Sequence, residues 1–187
     1  LLSLFAALFI YYSGIPAFGI FRKKGVPYSV TAFLPSLPSA GTGKKVLFLG
    51  SGNNQLNSIR RGKEFGYYII ASDYFIASEG KTAADASIIA DAFDPDATLG
   101  AAGWLRPDAV LTTGTDQTVL TMAAVTQRLG LPGYISPETA KNVTDKGRMK
   151  QIFRRHAVPA VPSVFLTEDA VKEGPKAVEA VLRGLKP

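Results

Sequence analysis

The 187 residues contain no cysteine, which excludes disulfides, thiolate metal sites and a cysteine nucleophile. Histidine occurs once, at His156, too little for a histidine metal centre or a Ser/His/Asp triad. Acidic side chains are missing from residues 1 to 45, which carry Arg22, Lys23, Lys24, Lys44 and Lys45. Of the net charge of +6, +5 therefore sits at the amino terminus, leaving 16 bases against 15 acids in the rest. A nearly neutral body lacks the broad basic face that nucleic-acid binding requires, so no nucleic-acid partner is expected. What remains is oxygen chemistry and backbone recognition. A hydrophobic content of 47% is enough to fill the core of one ordinary domain.

Leu1 to Phe21 carries no charge and runs straight into Arg22-Lys23-Lys24, the pattern of a membrane span with a cytoplasmic basic flank. As a helix it would reach roughly 30 Å. Ser3, Ser13, Gly14 and Pro16 interrupt the run, and a signal peptide places its positive charges before the apolar stretch rather than after it. Residues 1 to 24 therefore read either as a membrane anchor or as an accessory helix or sequence outside the natural domain. The expected location is cytoplasmic, with or without that tether. Residues 25 to 43, with Pro27, Pro35, Pro38, Gly41 and Gly43, read as a linker with little helix or strand of its own.

From Lys44 onward strand and helix signals alternate. Val46 to Leu49 is a short apolar strand, followed by Gly50-Ser51-Gly52-Asn53-Asn54-Gln55 and a helix through about Phe65 that Gly66 stops. Tyr67 to Ala71 is a second strand, ending at Ser72-Asp73. Further strands are expected at Ser87 to Ala90, Ala109 to Leu111, Gly133 to Ile135 and Val161 to Leu166. Helices are expected near 95 to 105, from Asp116 to Leu129 and from about Glu138 to Ala157. This order predicts an α/β fold: a Rossmann-like parallel sheet of about five strands over residues 44 to 166, with helices on both faces. Ligands in such sheets bind beyond the carboxyl ends of the strands, so the loops at 50 to 55, 72 to 76 and 112 to 116 should converge on one crevice.

The glycine turn lets backbone approach a ligand, and the helix after it presents unpaired N–H groups. Asp73, 23 residues after Gly50, falls near the place of a ribose-binding acid in dinucleotide folds. Gln55 nevertheless stands where that fingerprint requires a third Gly or Ala, so a tight structural turn is the competing reading. In Thr112-Thr113-Gly114-Thr115-Asp116, Thr115 or Asp116 reads first as a helix cap, in a place that also faces the crevice. On the helix expected from Glu138 to Ala157, Met149, Ile152, Phe153 and His156 share one face and should be core. Its other side gathers Lys141, Lys146, Arg148, Lys150, Arg154 and Arg155 against the single Asp145, either a solvated face or a partner for phosphates.

Taken in order, these elements resemble the amino-terminal part of the ATP-grasp ligases. The resemblance is carried by the glycine turn, Asp73, Pro107-Asp108-Ala109-Val110 before Gly114-Thr115-Asp116-Gln117, then Thr144-Asp145-Lys146, Met149-Lys150, Phe153 and Val158-Pro159. The sequence is similar there to biotin carboxylase, the carbamoyl phosphate synthetase large subunit and the purine-pathway carboxylate-amine ligases, over about residues 44 to 166. The resemblance implies a ligase that uses ATP and Mg²⁺ to activate a carboxylate as an acyl phosphate and passes the acyl group to an amine or similar nucleophile. It implies that Lys146 contacts ATP, and that Gly50, Ser51, Gly52, Asn53, Asn54, Gln55, Asp73, Gly114, Thr115 and Asp116 face the carboxylate and amine substrates. The chemistry suits the types: a lysine offers a point charge to phosphate, and glycine turns with amides and hydroxyls orient a small polar acid.

Two departures accompany the likeness. Ala157 stands where the family has glycine before Val-Pro, a change that costs about 1 kcal/mol if the backbone there is left-handed. Residues 167 to 187 would be only the start of the ATP-grasp domain, so the Mg²⁺ ligands and the glycine-rich lid are expected outside this chain, which alone should bind ATP weakly and not turn over. A nicotinamide or nucleotide-sugar binding enzyme and a membrane-tethered module without catalysis are the two competing readings.

Overall fold

The computed structural model describes residues 17–22, 29–34 and 43–185. They fall into two units, divided between Ala140 and Lys141.

The first unit is built on a six-stranded sheet. Its strands are β1 (Ala17–Arg22), β2 (Ser29–Leu34), β3 (Lys45–Leu49), β4 (Tyr68–Asp73), β5 (Ala86–Ile89) and β6 (Ala109–Thr112). The order is β1-β2-β5-β4-β3-β6, with β5, β4, β3 and β6 parallel and β1-β2 an antiparallel pair added at the β5 edge. In the parallel part the chain starts in the middle, steps outward twice, and then crosses to the other side of β3. The gap between the carboxyl ends of β3 and β6 is therefore the topological switch point, where a doubly wound sheet binds its ligand.

The central strands are apolar through residues 46–49 and 68–71 because both faces are covered there. Leu47, Leu49, Tyr68, Ile70, Ile88 and Val110 point to one face and meet Ala101, Ala102 and Leu105 of α3 (Pro95–Leu105) and Met122 and Val125 of α4 (Asp116–Leu129). Val46, Phe48, Ile69 and Ala71 point to the other, where Ile59 of α1 (Asn53–Glu64) covers them beside the short α2 (Glu79–Ala83). Each fully buried Leu or Ile contributes about 1.5 to 3 kcal/mol. Asp94 starts α3, its carboxylate accepting from the amides of Asp96 and Ala97 at 2.8 and 3.1 Å, and Pro95 occupies the first turn.

Several expectations are corrected. The parallel part has four strands rather than about five, because Gly133 to Ile135 and Val161 to Leu166 form no strand. The first is three residues wedged between Pro132 and the turn at Ser136, whose hydroxyl accepts from the amide of Thr139. The second contains Pro162, which donates no ladder bond, and its unit holds no strand among the described residues for it to pair with. Residues 29–34, read as linker, form β2, and Ala17–Phe21, read as the end of an apolar helix, belong to β1. Residues 1–16 of the supposed anchor lie outside the described residues. Among those described, no helix is long and apolar enough to cross a membrane.

The long helix expected from Glu138 to Ala157 is two: α5 (Pro137–Thr144), within which the division between units falls, and α6 (Lys146–Arg155). Asp145 makes the break. Its side chain accepts from the amides of Gly147 and Arg148 at 2.8 and 3.1 Å, so it caps a new helix instead of continuing the old one.

The second unit continues with α7 (Glu168–Glu173), α8 (Pro175–Leu182) and a 3₁₀ turn at Arg183–Leu185. No described residue of this unit is fully buried. Met149, Ile152 and Phe153 are half-covered, and His156 is exposed at the end of α6, so the expected core stripe is a partly sheltered one. Lys150 donates to the carbonyl of Val161 at 3.2 Å, and Arg154 donates to the carbonyl and hydroxyl of Ser163 while lying 5.9 Å from the Phe165 ring centroid. These two cations of the basic face thus hold the extended segment 158–166. Ala157, at φ +51°, is in the left-handed region, as the departure from glycine implied.

Candidate functional site

After Leu49 the chain must leave the sheet and turn at once into α1. Gly50 makes this possible with φ +84°, a backbone that a side chain would strain. The first three amides of the turn are then closed off one by one. Gly50 N donates to Ser72 O at 2.9 Å, Ser51 N to Asp73 Oδ2 at 2.9 Å, and Gly52 N to Gln55 Oε1 at 3.1 Å. Gln55, only 4% exposed, also donates through Nε2 to Thr113 O at 2.7 Å and Thr115 Oγ1 at 3.2 Å. One side chain therefore ties the β3 turn to the β6 turn across the switch point. Gln55 Cδ would lie 3.3 Å from a Cβ on Gly50, so the space that a dinucleotide fingerprint keeps open is filled.

The loop after β4 is held as firmly. The second carboxylate oxygen of Asp73 accepts from Phe75 N at 3.2 Å. Lys81, 8% exposed, donates to Asp73 O at 3.0 Å and to Phe75 O. Burial pushes the Lys81 ammonium below its ordinary pKa, with the nearby Asp73 pulling it back upward. Ser51 Oγ and Ser78 Oγ are 2.7 Å apart, and Gly80 N donates to Ser51 O at 2.8 Å, so α2 is fastened to the underside of the glycine turn. At the carboxyl ends of the strands, Thr112 Oγ1 donates to Leu49 O at 3.0 Å and meets Thr118 Oγ1 at 2.5 Å. The hydroxyl of Ser72, buried in the same row, has no hydrogen-bond partner among the described residues.

Above this frame lies a cleft of about 470 Å³, within the usual range for small-molecule sites. Of the residues named from the sequence, Gly50, Gly52, Gln55, Asp73 and Thr115 line it. Ser51 is buried behind the turn. Asn53, Asn54 and Asp116 are exposed in the first turns of their helices, and Gly114, at φ +69°, packs where a Cβ would meet Asn54 Cβ at 3.0 Å. Thr115 holds the cap position of α4 by backbone alone, its hydroxyl taken up by Gln55 rather than by a helix amide. Lys146 is exposed in the first turn of α6, in the second unit.

The lining also includes Tyr74 and Phe75, within the loop 72 to 76 that the sequence pointed to without naming them, and sequence reasoning missed Ser78, Glu79 and Phe93 in it and Lys81 beneath it. Ser78-Glu79 was a readable helix start, since Ser78 caps α2 by accepting from Lys81 N at 3.4 Å. A helix of five residues leaves no periodicity to find.

No protein-family model matches this chain, and no curated protein does. Solved structures do. Phosphoribosylglycinamide synthetase from Anaerococcus prevotii is 26% identical with a TM-score of 0.59, over 77% of this chain and 35% of its own. N5-carboxyaminoimidazole ribonucleotide synthetase from Thermotoga maritima is 23% identical with a TM-score of 0.54, over 75% of this chain and 36% of its own. The L-amino acid ligase from Bacillus licheniformis is 16% identical with a TM-score of 0.55, over 67% and 33%. The chain thus spans about a third of the length of the solved structures it matches. It is similar in fold to the amino-terminal portion of the ATP-grasp ligases, as the order of its motifs implied.

Proposed function

We propose that this chain is the amino-terminal, substrate-side part of an ATP-dependent ligase that activates a carboxylate as an acyl phosphate and transfers the acyl group to an amine. The observation that carries the reading is the fold likeness to phosphoribosylglycinamide synthetase over 77% of the chain at 26% identity. The cleft at the switch point supports it, since it combines carboxylate and hydroxyl groups with an aromatic wall, a lining that suits a small amphipathic molecule. The competing nicotinamide reading is opposed by Gln55, which packs against the glycine turn where the fingerprint has Gly or Ala, and by Asp73, both of whose carboxylate oxygens already accept backbone amides.

Toward ATP, the chain offers Lys146 as a point charge in the first turn of α6, next to amides that Asp145 already engages. Among the described residues no three His, Asp or Glu side chains gather to hold a divalent cation, so no step is assigned to Mg²⁺ here. The cleft residues bind and orient. Gln55 locks the two turns in register, and the Asp73 loop, tied down by Lys81, shapes the mouth.

Trapping tests the reading in the complete polypeptide that carries this chain. With ATP, Mg²⁺, a panel of amino acids and short carboxylic acids, and hydroxylamine, an acyl phosphate is captured as a hydroxamate. Equal amounts of hydroxamate and ADP, both dependent on one acid, are expected. ATP hydrolysis indifferent to every acid, or stoichiometric NADH binding at the cleft, would overturn it.

A further inference from the structure

We infer that the cleft takes an unphosphorylated, cationic amine bearing an aromatic or extended apolar group; the inference rests on the cleft being the substrate site of the proposed ligase. Three independent features point to this class.

The first is charge. The lining includes two carboxylates, Asp73 and Glu79, and no lysine, arginine or histidine stands in its described wall. The one cation close by, Lys81, is buried under the loop with its ammonium on the carbonyls of Asp73 and Phe75, and even counting it the site remains net negative. Arg60 and Lys63 border a separate groove that shares only Glu79 with the cleft.

The second is the state of the glycine turn. A phosphate at a helix start is held by unengaged backbone amides. Those of Gly50, Ser51 and Gly52 donate instead to Ser72 O, Asp73 Oδ2 and Gln55 Oε1. Placing a phosphate there would break those bonds and set two negative groups beside each other. The names of two similar solved enzymes carry a phosphorylated ribose. This cleft offers such a group no lining cation, and the amides of Gly50, Ser51 and Gly52 are already engaged.

The third is the wall. Tyr74, Phe75 and Phe93 border the cleft while remaining 53%, 56% and 46% exposed, and the Tyr74 and Phe75 rings lie 4.2 Å apart at 36°. Large aromatic surface left open inside a concave, acidic site matches a ligand that stacks with one part and presents a cation with another, through ring contact and cation–π attraction.

The test uses the 187-residue chain with ¹⁵N amide shifts to locate binding. The probes are phenethylamine, 3-phenylpropionate, ribose 5-phosphate and inorganic phosphate. Phenethylamine is expected to saturate with a Kd of about a few millimolar or tighter, moving amides in residues 50–55 and 73–79. The carboxylate of the same shape should bind at least about five-fold more weakly, and Glu79→Gln should weaken phenethylamine by about three- to five-fold. Phe93→Ala, on a separate loop, should weaken it comparably, with circular dichroism confirming both folds.

Tighter binding of either phosphate at the same amides would overturn the amine class while leaving the cleft, and the ligase reading, standing. Equal binding of amine and carboxylate, or an unchanged affinity in Glu79→Gln, would overturn the charge argument and with it the inference. No probe moving those amides would overturn the cleft as the substrate site altogether.

Discussion

Replacing Gly80 by alanine drives a methyl group into the back of the glycine turn. A Cβ at this position would stand 2.5 Å from Ser51 O, 2.8 Å from Ile59 Cδ1 and 2.9 Å from Ser51 C, where ordinary contact begins at 3.4 Å. The obstacle is backbone, and that backbone is pinned by Gly80 N to Ser51 O at 2.8 Å, Ser51 N to Asp73 at 2.9 Å and Gly50 N to Ser72 O at 2.9 Å. Relief requires α2 and the turn to part by roughly 0.5 to 1 Å. Overpacking of this kind costs about 1 to 3 kcal/mol, and a weakened hydrogen bond adds about 1 more. The gain in helix propensity on losing a glycine returns up to about 1 kcal/mol. The net expectation is a loss of roughly 1.5 to 3 kcal/mol.

Gly103 in α3 is the internal control, because a Cβ there meets nothing within 4 Å. Gly103→Ala should stabilise by about 0.5 to 1 kcal/mol. Urea unfolding measures both. At a slope of about 2 kcal/mol/M, Gly80→Ala should lower the midpoint by roughly 1 M and Gly103→Ala should raise it slightly. Midpoints for Gly80→Ala within about 0.2 M of the parent, or shifts of the same sign for both variants, would refute the close approach of α2 to the turn.

Two further outcomes follow from local geometry. Ala157→Gly removes the strain of a side chain at φ +51° and should raise thermal stability by about 0.5 to 1 kcal/mol; a lower melting temperature would contradict the left-handed assignment. Lys81, whose folded pKa lies below its ordinary value of 10.5 because of burial, makes the folded state release its proton first. Its contribution to stability therefore rises with pH through the window between the folded pKa and 10.5. Tyr68, raised above 10.0 by burial and by Asp85, acts in the opposite sense and is common to both proteins. Denaturation between neutral pH and about 10.5 should show the Lys81-dependent rise in the parent but not in Lys81→Met; parallel pH profiles would contradict it.

The parts of the fold visible in the sequence are those whose signals are local. The β3-α1-β4 unit announced itself through an apolar strand, a glycine turn and the stop at Gly66, and α4 was read with its observed bounds, Asp116 to Leu129. Non-local pairing was not visible. The last residues of the apolar run, Ala17 to Phe21, read as helix but pair with β2 at the β5 edge, and Val161 to Leu166 reads as a strand although its unit supplies no described partner. Asp145 carried a readable signal, since a carboxylate two residues before Gly147 competes with helix continuation, but periodicity on either side masked it. For the site, Asp73 and the glycine turn were legible as a place, and their electrostatic character was not. That character depends on which amides are already engaged, and the partners that engage them are spread over Ser72 O for Gly50, Asp73 for Ser51 and Gln55, noticed as a departure from the dinucleotide fingerprint, for Gly52.

The most direct test of the account is calorimetric titration of MgATP into the complete polypeptide carrying this chain and into its Lys146→Ala variant, with circular dichroism to confirm folding. A lysine on phosphate contributes about 1 to 3 kcal/mol, so the variant should bind roughly ten- to a hundred-fold more weakly while keeping its fold. Affinities within about two-fold of each other would make Lys146 an ordinary solvated residue and contradict the ATP-grasp reading of this chain.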